Sequence, residues 1–176
     1  MTSIDPFATR ASGRLRLFVY GTLKRGFANH EHFCQGLLDF HEAEIRGRLY
    51  DGPGFPLLQV PGEDILAEGT GRATHDLAVQ LRAADQVRSS SRSADRSAVT
   101  GSWDTVYGEL FSFSDPEARL PAIDRLEGFN PGHASLYRRV LVPVVTRDAC
   151  EVTWVYVAET PGLKERRLYS GRWPEV

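Results

Sequence analysis

This sequence predicts an α+β fold in which strands outnumber helices, and three observations carry the prediction. Segments that alternate polar and apolar residues with period two recur along the chain, as half-buried strands do. No repeated strand–helix–strand spacing calls for a parallel sheet. The bulk numbers fit one ordinary core: 176 residues, 41% hydrophobic and 25% charged, near globular averages and below the size at which cores divide.

The elements follow in order. Residues 1–13 are small and polar without periodicity and read as a flexible leader. From Arg14 the run Arg-Leu-Arg-Leu-Phe-Val alternates as a strand and stops at Gly21, which leaves Tyr20-Gly21-Thr22-Leu23 in a loop at the strand end. Asn29 is placed to cap a short helix reaching Leu38. Ile45–Tyr50 alternates again, Gly52, Pro53, Gly54 and Pro56 force a turn, and Leu57–Val60 is a brief strand. Leu77, Leu81 and Ala84 share one helical face behind Asp76 as cap, predicting a short and poorly anchored helix.

Arg88 to Ser102 mixes serines with arginines, a composition too polar to bury. A surface loop is the preferred reading, a lid over a site the functional alternative. Val106–Phe113 is strand-like in its aromatic and β-branched content, and Ser114-Asp115-Pro116 starts a helix. Leu120, Ile123 and Leu126 share a face of that helix, and Gly128 supplies a left-handed exit that makes Glu127 its last residue. Pro121 predicts that the helix is two short pieces. Tyr137–Thr146 and Glu151–Glu159 form an antiparallel hairpin about Arg147-Asp148-Ala149.

Several function classes lose support at once. Lys and Arg number 21 against 23 Asp and Glu, so no global basic field draws the chain to nucleic acid or to anionic membranes. The run Val140–Val145, broken by Pro143, is too short to cross a bilayer. Cys34 and Cys150 form no CxxC pair, which fits two buried thiols in a reduced, cytoplasmic protein. Phosphate-binding glycine loops, a serine-hydrolase elbow and a zincin signature are all missing. His30 and Cys34 share a helix face, but a solvated face and a packed thiol are the preferred readings over a metal or a nucleophile.

Glu127 stands out by its place. A carboxylate at a helix carboxy end meets the negative end of the macrodipole, and Leu126 and Phe129 beside it limit hydration, both of which raise its pKa. A glutamate tuned toward neutrality can take and return protons. The glycine loop adds a second element, because Gly21 at a strand end lets backbone N–H groups point into a cavity. Tyr137, Arg138 and Arg139 bring a phenol and guanidinium groups to a strand start, with wall or core the ordinary alternative.

Taken together these segments resemble the γ-glutamylcyclotransferase-like (AIG2-like) family. The matching strings are Tyr20-Gly21-Thr22-Leu23-Lys24 with Arg25-Gly26 and Asn29-His30, then Gly47-Arg-Leu-Tyr50, Gly54-Phe-Pro56 and Val106-Tyr-Gly-Glu-Leu110. Ile123-Asp-Arg-Leu-Glu-Gly128, Tyr137-Arg-Arg139 and Ser170-Gly-Arg-Trp173 follow at family-like spacings. The resemblance covers about residues 14–62 and 104–173. It implies a small mixed β-barrel with flanking short helices in a single domain, 14–176, enlarged by a polar insertion around 63–103.

It also implies an activity: a γ-glutamyl group cyclises on itself, releasing an amine and 5-oxoproline, with no metal or organic cofactor. By that match Glu127 is the general acid/base. Tyr20, Gly21, Thr22, Leu23 and Tyr137 bind the small-molecule γ-glutamyl substrate, and Arg139 braces the barrel rather than meeting a substrate carboxylate. No nucleic-acid or membrane partner is implied. A non-catalytic protein that keeps the same pocket for a small ligand is the alternative.

Overall fold

A computed structural model describes residues 13–90, 102–159 and 164–175. Its first strand, β1 (Leu15–Val19), leads through the glycine loop to a short helix, α1 (Ala28–Phe33). A long strand, β2 (Asp39–Asp51), turns into β3 (Pro56–Gln59), and β4 (Ala67–Glu68) precedes the helix α2 (Ala73–Ser90). After β5 (Asp104–Phe113) come α3 (Pro116–Glu127), the hairpin β6 (Tyr137–Thr146) and β7 (Cys150–Ala158), and a short β8 (Arg166–Leu168).

The strand order β2-β5-β1-β7-β6 closes on itself because β2 also pairs with β6, at Ala43↔Thr146 and Glu44↔Val145. β1 and β7 run parallel, and the other neighbours in this ring are antiparallel. The result is a closed mixed barrel of five strands, with β3 and β8 paired along the end of β2 and β4 along β6. Closure leaves no edge in the ring itself.

Alternation along the strands builds two cores. Phe18 of β1 and Tyr20 just past its end join Ile45, Leu49, Val106, Leu110 and valines of β6 and β7 in one cluster. Leu15, Leu17 and Val19 face the other way and join Phe111, Phe113, Trp154, Leu120 and Ile123 beneath the helices. β7 is buried on both faces from Val152 to Ala158, which is why its sequence reads as a nearly unbroken apolar run.

Several elements differ from the sequence expectations. Asn29 does not cap α1, which begins at Ala28 behind Phe27 and ends at Phe33, well short of Leu38. Helix α3 is continuous from Pro116 to Glu127 rather than two pieces. Pro121 deprives only the Glu117 carbonyl of its helical donor, and Glu117 is exposed to water. Leu120 and Ile123 on either side of the proline both sit in the core.

Helix α2 is long, and its buried residues are Asp76 and Gln80 rather than Leu77 and Leu81. Asp76 lies in the first turn and is no cap. Its carboxylate accepts from the Thr70 amide and hydroxyl at 2.9 and 2.8 Å and pairs with Arg139 at 2.9 Å. Gln80 accepts from the Arg16 amide and donates to the Arg14 carbonyl, both at 2.9 Å, so it saturates the backbone of β1. The helix therefore docks on the barrel through polar groups that an apolar-spacing argument does not see. The serine-rich stretch 91–101 and residues 1–12 lie outside the described residues. Among the described residues, no helix is long and apolar enough to cross a membrane.

Candidate active site

The site forms where β1 ends. Tyr20, Gly21, Leu23, Glu127 and Tyr137 line one recess of about 30 Å³ together with Phe18, Val19, Pro56 and Tyr156. Free space of that size holds about one water molecule. Thr22 is not in the lining; its hydroxyl accepts a hydrogen bond from Asn29 Nδ2 at 3.0 Å.

Sequence dictates the loop locally. A Cβ on Gly21 would come within 2.8 Å of the Pro56 ring, so no larger residue fits between β1 and the start of β3. The Gly21 carbonyl accepts from the Lys24 amide at 3.1 Å, closing a tight turn. The Leu23 carbonyl receives His30 Nδ1 at 3.0 Å. His30 thus braces the loop, with its ring edge-on to Phe111 at 5.3 Å, and is not a solvated side chain. Among the described residues, the amides of Thr22 and Leu23 make no backbone hydrogen bond. The loop spends acceptors on the protein and keeps donors available.

Cys34 packs beneath the same loop, 2% exposed, and burial pushes its thiol up to about 11, so it stays protonated. Cys150 is half-buried rather than buried.

Helix α3 delivers Glu127. Gly128, with φ 65° and ψ 24°, ends the helix in the left-handed conformation. Gly128 and Phe129 donate back to the carbonyls of Arg125 and Asp124 at 3.3 and 2.8 Å. This places the glutamate at the last turn, beside the recess. Burial, and then the charge of Asp124 one turn earlier, push its carboxyl up from an ordinary 4.5 to about 7. No hydrogen bond or ion pair to that carboxyl exists among the described residues.

Three tyrosines surround it. Tyr20 donates to the Tyr156 carbonyl at 2.7 Å, and Tyr137 donates to the Pro56 carbonyl at 2.6 Å. Burial raises both phenols, and the nearby Glu127 charge raises them further, so they remain donors. Tyr156 donates to Asp124 Oδ1 at 2.6 Å.

Behind this wall Arg139 is 0% exposed. It donates to both Asp124 oxygens at 2.8 and 3.1 Å and to the Thr70 carbonyl at 2.9 Å. Its guanidinium also lies 5.1 Å from the Trp154 ring centroid. Arg139 is therefore a brace.

Sequence reasoning overlooked Tyr156 and the role of Asp124. Asp124 stood in the quoted string Ile123–Gly128, and its spacing of three from Glu127 puts the two carboxylates on neighbouring helix positions. Tyr156 carries no local signal inside an apolar strand. A larger groove of about 620 Å³ lies against the outward residues Glu42, Glu44, Tyr107 and Glu109 of β2 and β5, and Glu127 is not in its lining.

Comparison with known proteins agrees with this architecture. Among solved structures, YkqA from Bacillus subtilis aligns over 91% of this chain with a TM-score of 0.52 at 19% identity. The chain spans 39% of the length of YkqA. An AIG2-like protein from Mus musculus aligns over 91% of this chain and 88% of its own, with a TM-score of 0.50 at 16% identity. At such identities these likenesses speak for the fold. Comparison with curated protein sequences returns no match. The model of the family described as gamma-glutamyl cyclotransferase, AIG2-like, matches residues 17–100 and 96–175. With that match running from β1 to the last described residue, the chain belongs to the gamma-glutamyl cyclotransferase, AIG2-like family.

Proposed function

We propose that the protein is a cyclotransferase acting on a γ-glutamyl amine or γ-glutamyl amino acid, with Glu127 as the proton carrier. The observation that carries this reading is the Glu127 carboxyl itself, half-buried, without a partner among the described residues and raised to about 7 beside a loop of available amide donors. A carboxyl that only supported the fold would be paired, as Asp124 is.

The reaction balances without another reactant. The Glu127 carboxylate takes a proton from the substrate α-ammonium, and the freed amine attacks the γ-carbonyl carbon to close a five-membered ring. The bond from that carbon to the leaving nitrogen breaks as Glu127 returns that proton to it, and the attacking nitrogen gives up its second surplus proton through the same carboxylate to the departing amine, giving an alkylammonium ion and 5-oxoproline. Amides at Gly21–Leu23 donate to the oxyanion of the tetrahedral intermediate, a preorganised arrangement that favours the transition state over the ground state. Holding amine and carbonyl together supplies further acceleration through proximity. Tyr20 and Tyr137 form the walls. The ring that closes is larger than the free space now present, so binding widens the recess.

The test is direct. The protein is incubated with a panel of γ-glutamyl amines and γ-glutamyl amino acids, and 5-oxoproline release is measured. Release from at least one of these substrates is the expected result. No release, with ligands still raising the melting temperature, would replace the reading with that of a binding protein.

A further inference from the structure

The string Ser170-Gly-Arg-Trp173 takes no part in the chemistry above and lies outside the recess, with Trp173 in the lining of the larger groove, yet that residue touches Lys24 and Phe27 just after the glycine loop and Asp51 just before the Pro56 turn. The strap formed by β8 and residues 169–175 runs along the end of β2, pairing Leu168 with Leu49 and Arg166 with Asp51. Trp173 is its centre. The indole Nε1 donates to Asp51 Oδ1 at 3.3 Å, at the point where β2 enters the turn leading to Pro56. The indole ring stacks on Phe27 at 5.6 Å, and the Trp173 carbonyl accepts from Lys24 Nζ. Lys24 closes the turn begun by Gly21, so Trp173 grips the glycine loop from behind.

The strap is itself anchored. The Tyr107 amide donates to the Gly171 carbonyl at 2.9 Å, and Arg166 bridges Asp51 and Glu175 at 3.0 and 2.6 Å. Among the described residues, no hydrogen bond, ion pair or ring contact of the strap goes to α3, which carries Glu127.

We infer that Trp173 is a positioning residue that holds the glycine loop in register with the Pro56 turn, setting the amide donors of Gly21–Leu23 against the reacting carbonyl. The inference rests on the reading of the recess as the reaction site. One aromatic residue ties together two segments that are distant in sequence and that come close at the Gly21–Pro56 contact. Because the strap leaves α3 alone, it governs geometry and leaves the proton carrier unchanged.

Two variants test this in the full chain. Trp173→Ala is expected to lower kcat/KM for 5-oxoproline release by about 10- to 100-fold, chiefly in kcat, because misplacement of about 1 Å costs that much. The acidic midpoint of its pH profile stays where the wild type has it. Hydrogen exchange rises on the order of tenfold in peptides covering 21–27 and 51–55 while α3 is unchanged. Trp173→Phe keeps the stacking and loses the indole donor, so it shows the same pattern with smaller changes and serves if the alanine variant fails to fold. Exchange that is unchanged in both segments, or that rises equally in α3, would overturn the inference. The exchange measurement needs no turnover, so a wild type that releases no 5-oxoproline counts against the proposed reaction and leaves the strap to be judged on exchange alone.

Discussion

Two carboxylates one turn apart on α3 live in opposite surroundings. Asp124 accepts from Arg139 and Tyr156 within 2.6–3.1 Å and is part of a buried network that reaches Asp76 of α2. Glu127 is half-buried with no hydrogen bond or ion pair among the described residues, and its carboxyl is raised to about 7. The same helix thus carries a fixed anchor at one turn and the proposed proton carrier at the next. Pairing decides which, since a carboxylate held by donors is fixed in the network while a half-buried one without donors is driven toward neutrality.

The sharpest way to break the comparison is to remove the charge from the unpaired member. Glu127→Gln keeps the shape and should lower 5-oxoproline release by ~10²–10⁴-fold, read in initial rates at pH 8. At the paired member the effect should fall on the fold. Arg139→Met leaves Asp124 and Asp76 buried without their cation and should cost about 3–5 kcal/mol in a urea titration.

The third prediction separates the two by sign. Between pH 4.5 and 7 the folded protein holds a proton on Glu127 that the unfolded chain has released, so stability falls as pH rises through that window. Glu127→Gln should therefore stabilise the protein by on the order of 1–3 kcal/mol at pH 8 and by almost nothing at pH 4. A proposed proton carrier that opposes stability is the expected compromise for a residue kept for function. The smallest effect belongs to Asp124→Asn. It removes a neighbouring negative charge, so the Glu127 carboxyl should titrate lower and the acidic limb of kcat/KM should move to lower pH.

The sequence revealed these regions unequally. Period-two alternation located β1 and the later part of β2, while aromatic and β-branched content located β5. Gly128 located the end of α3, and with it Glu127, because a left-handed exit has a sequence signature. The loop Tyr20–Leu23 was visible because the alternation of β1 stops at Gly21. β4 and β8 have two and three residues and gain their order only from partner strands. The start of β2, from Asp39 to Glu42, has no buried residue to mark it and follows the backbone of β5.

The docking of α2 was hidden because its buried face is polar, and only Arg139 and the open backbone of β1 make that face sensible. Macrodipole and apolar neighbours were the reasons expected for a raised Glu127. Burial and Asp124 are the causes found, and the second depends on a pairing pattern that no single segment contains.

The central claim is that this barrel half-buries one unpaired carboxyl and so leaves it free to exchange a proton near neutrality. Side-chain carboxyl NMR of protein labelled with ¹³C-glutamate, with Glu127→Gln assigning the resonance, measures it without any substrate. The account predicts a Glu127 midpoint at about 7. A midpoint at the ordinary glutamate value of 4.5 would contradict it.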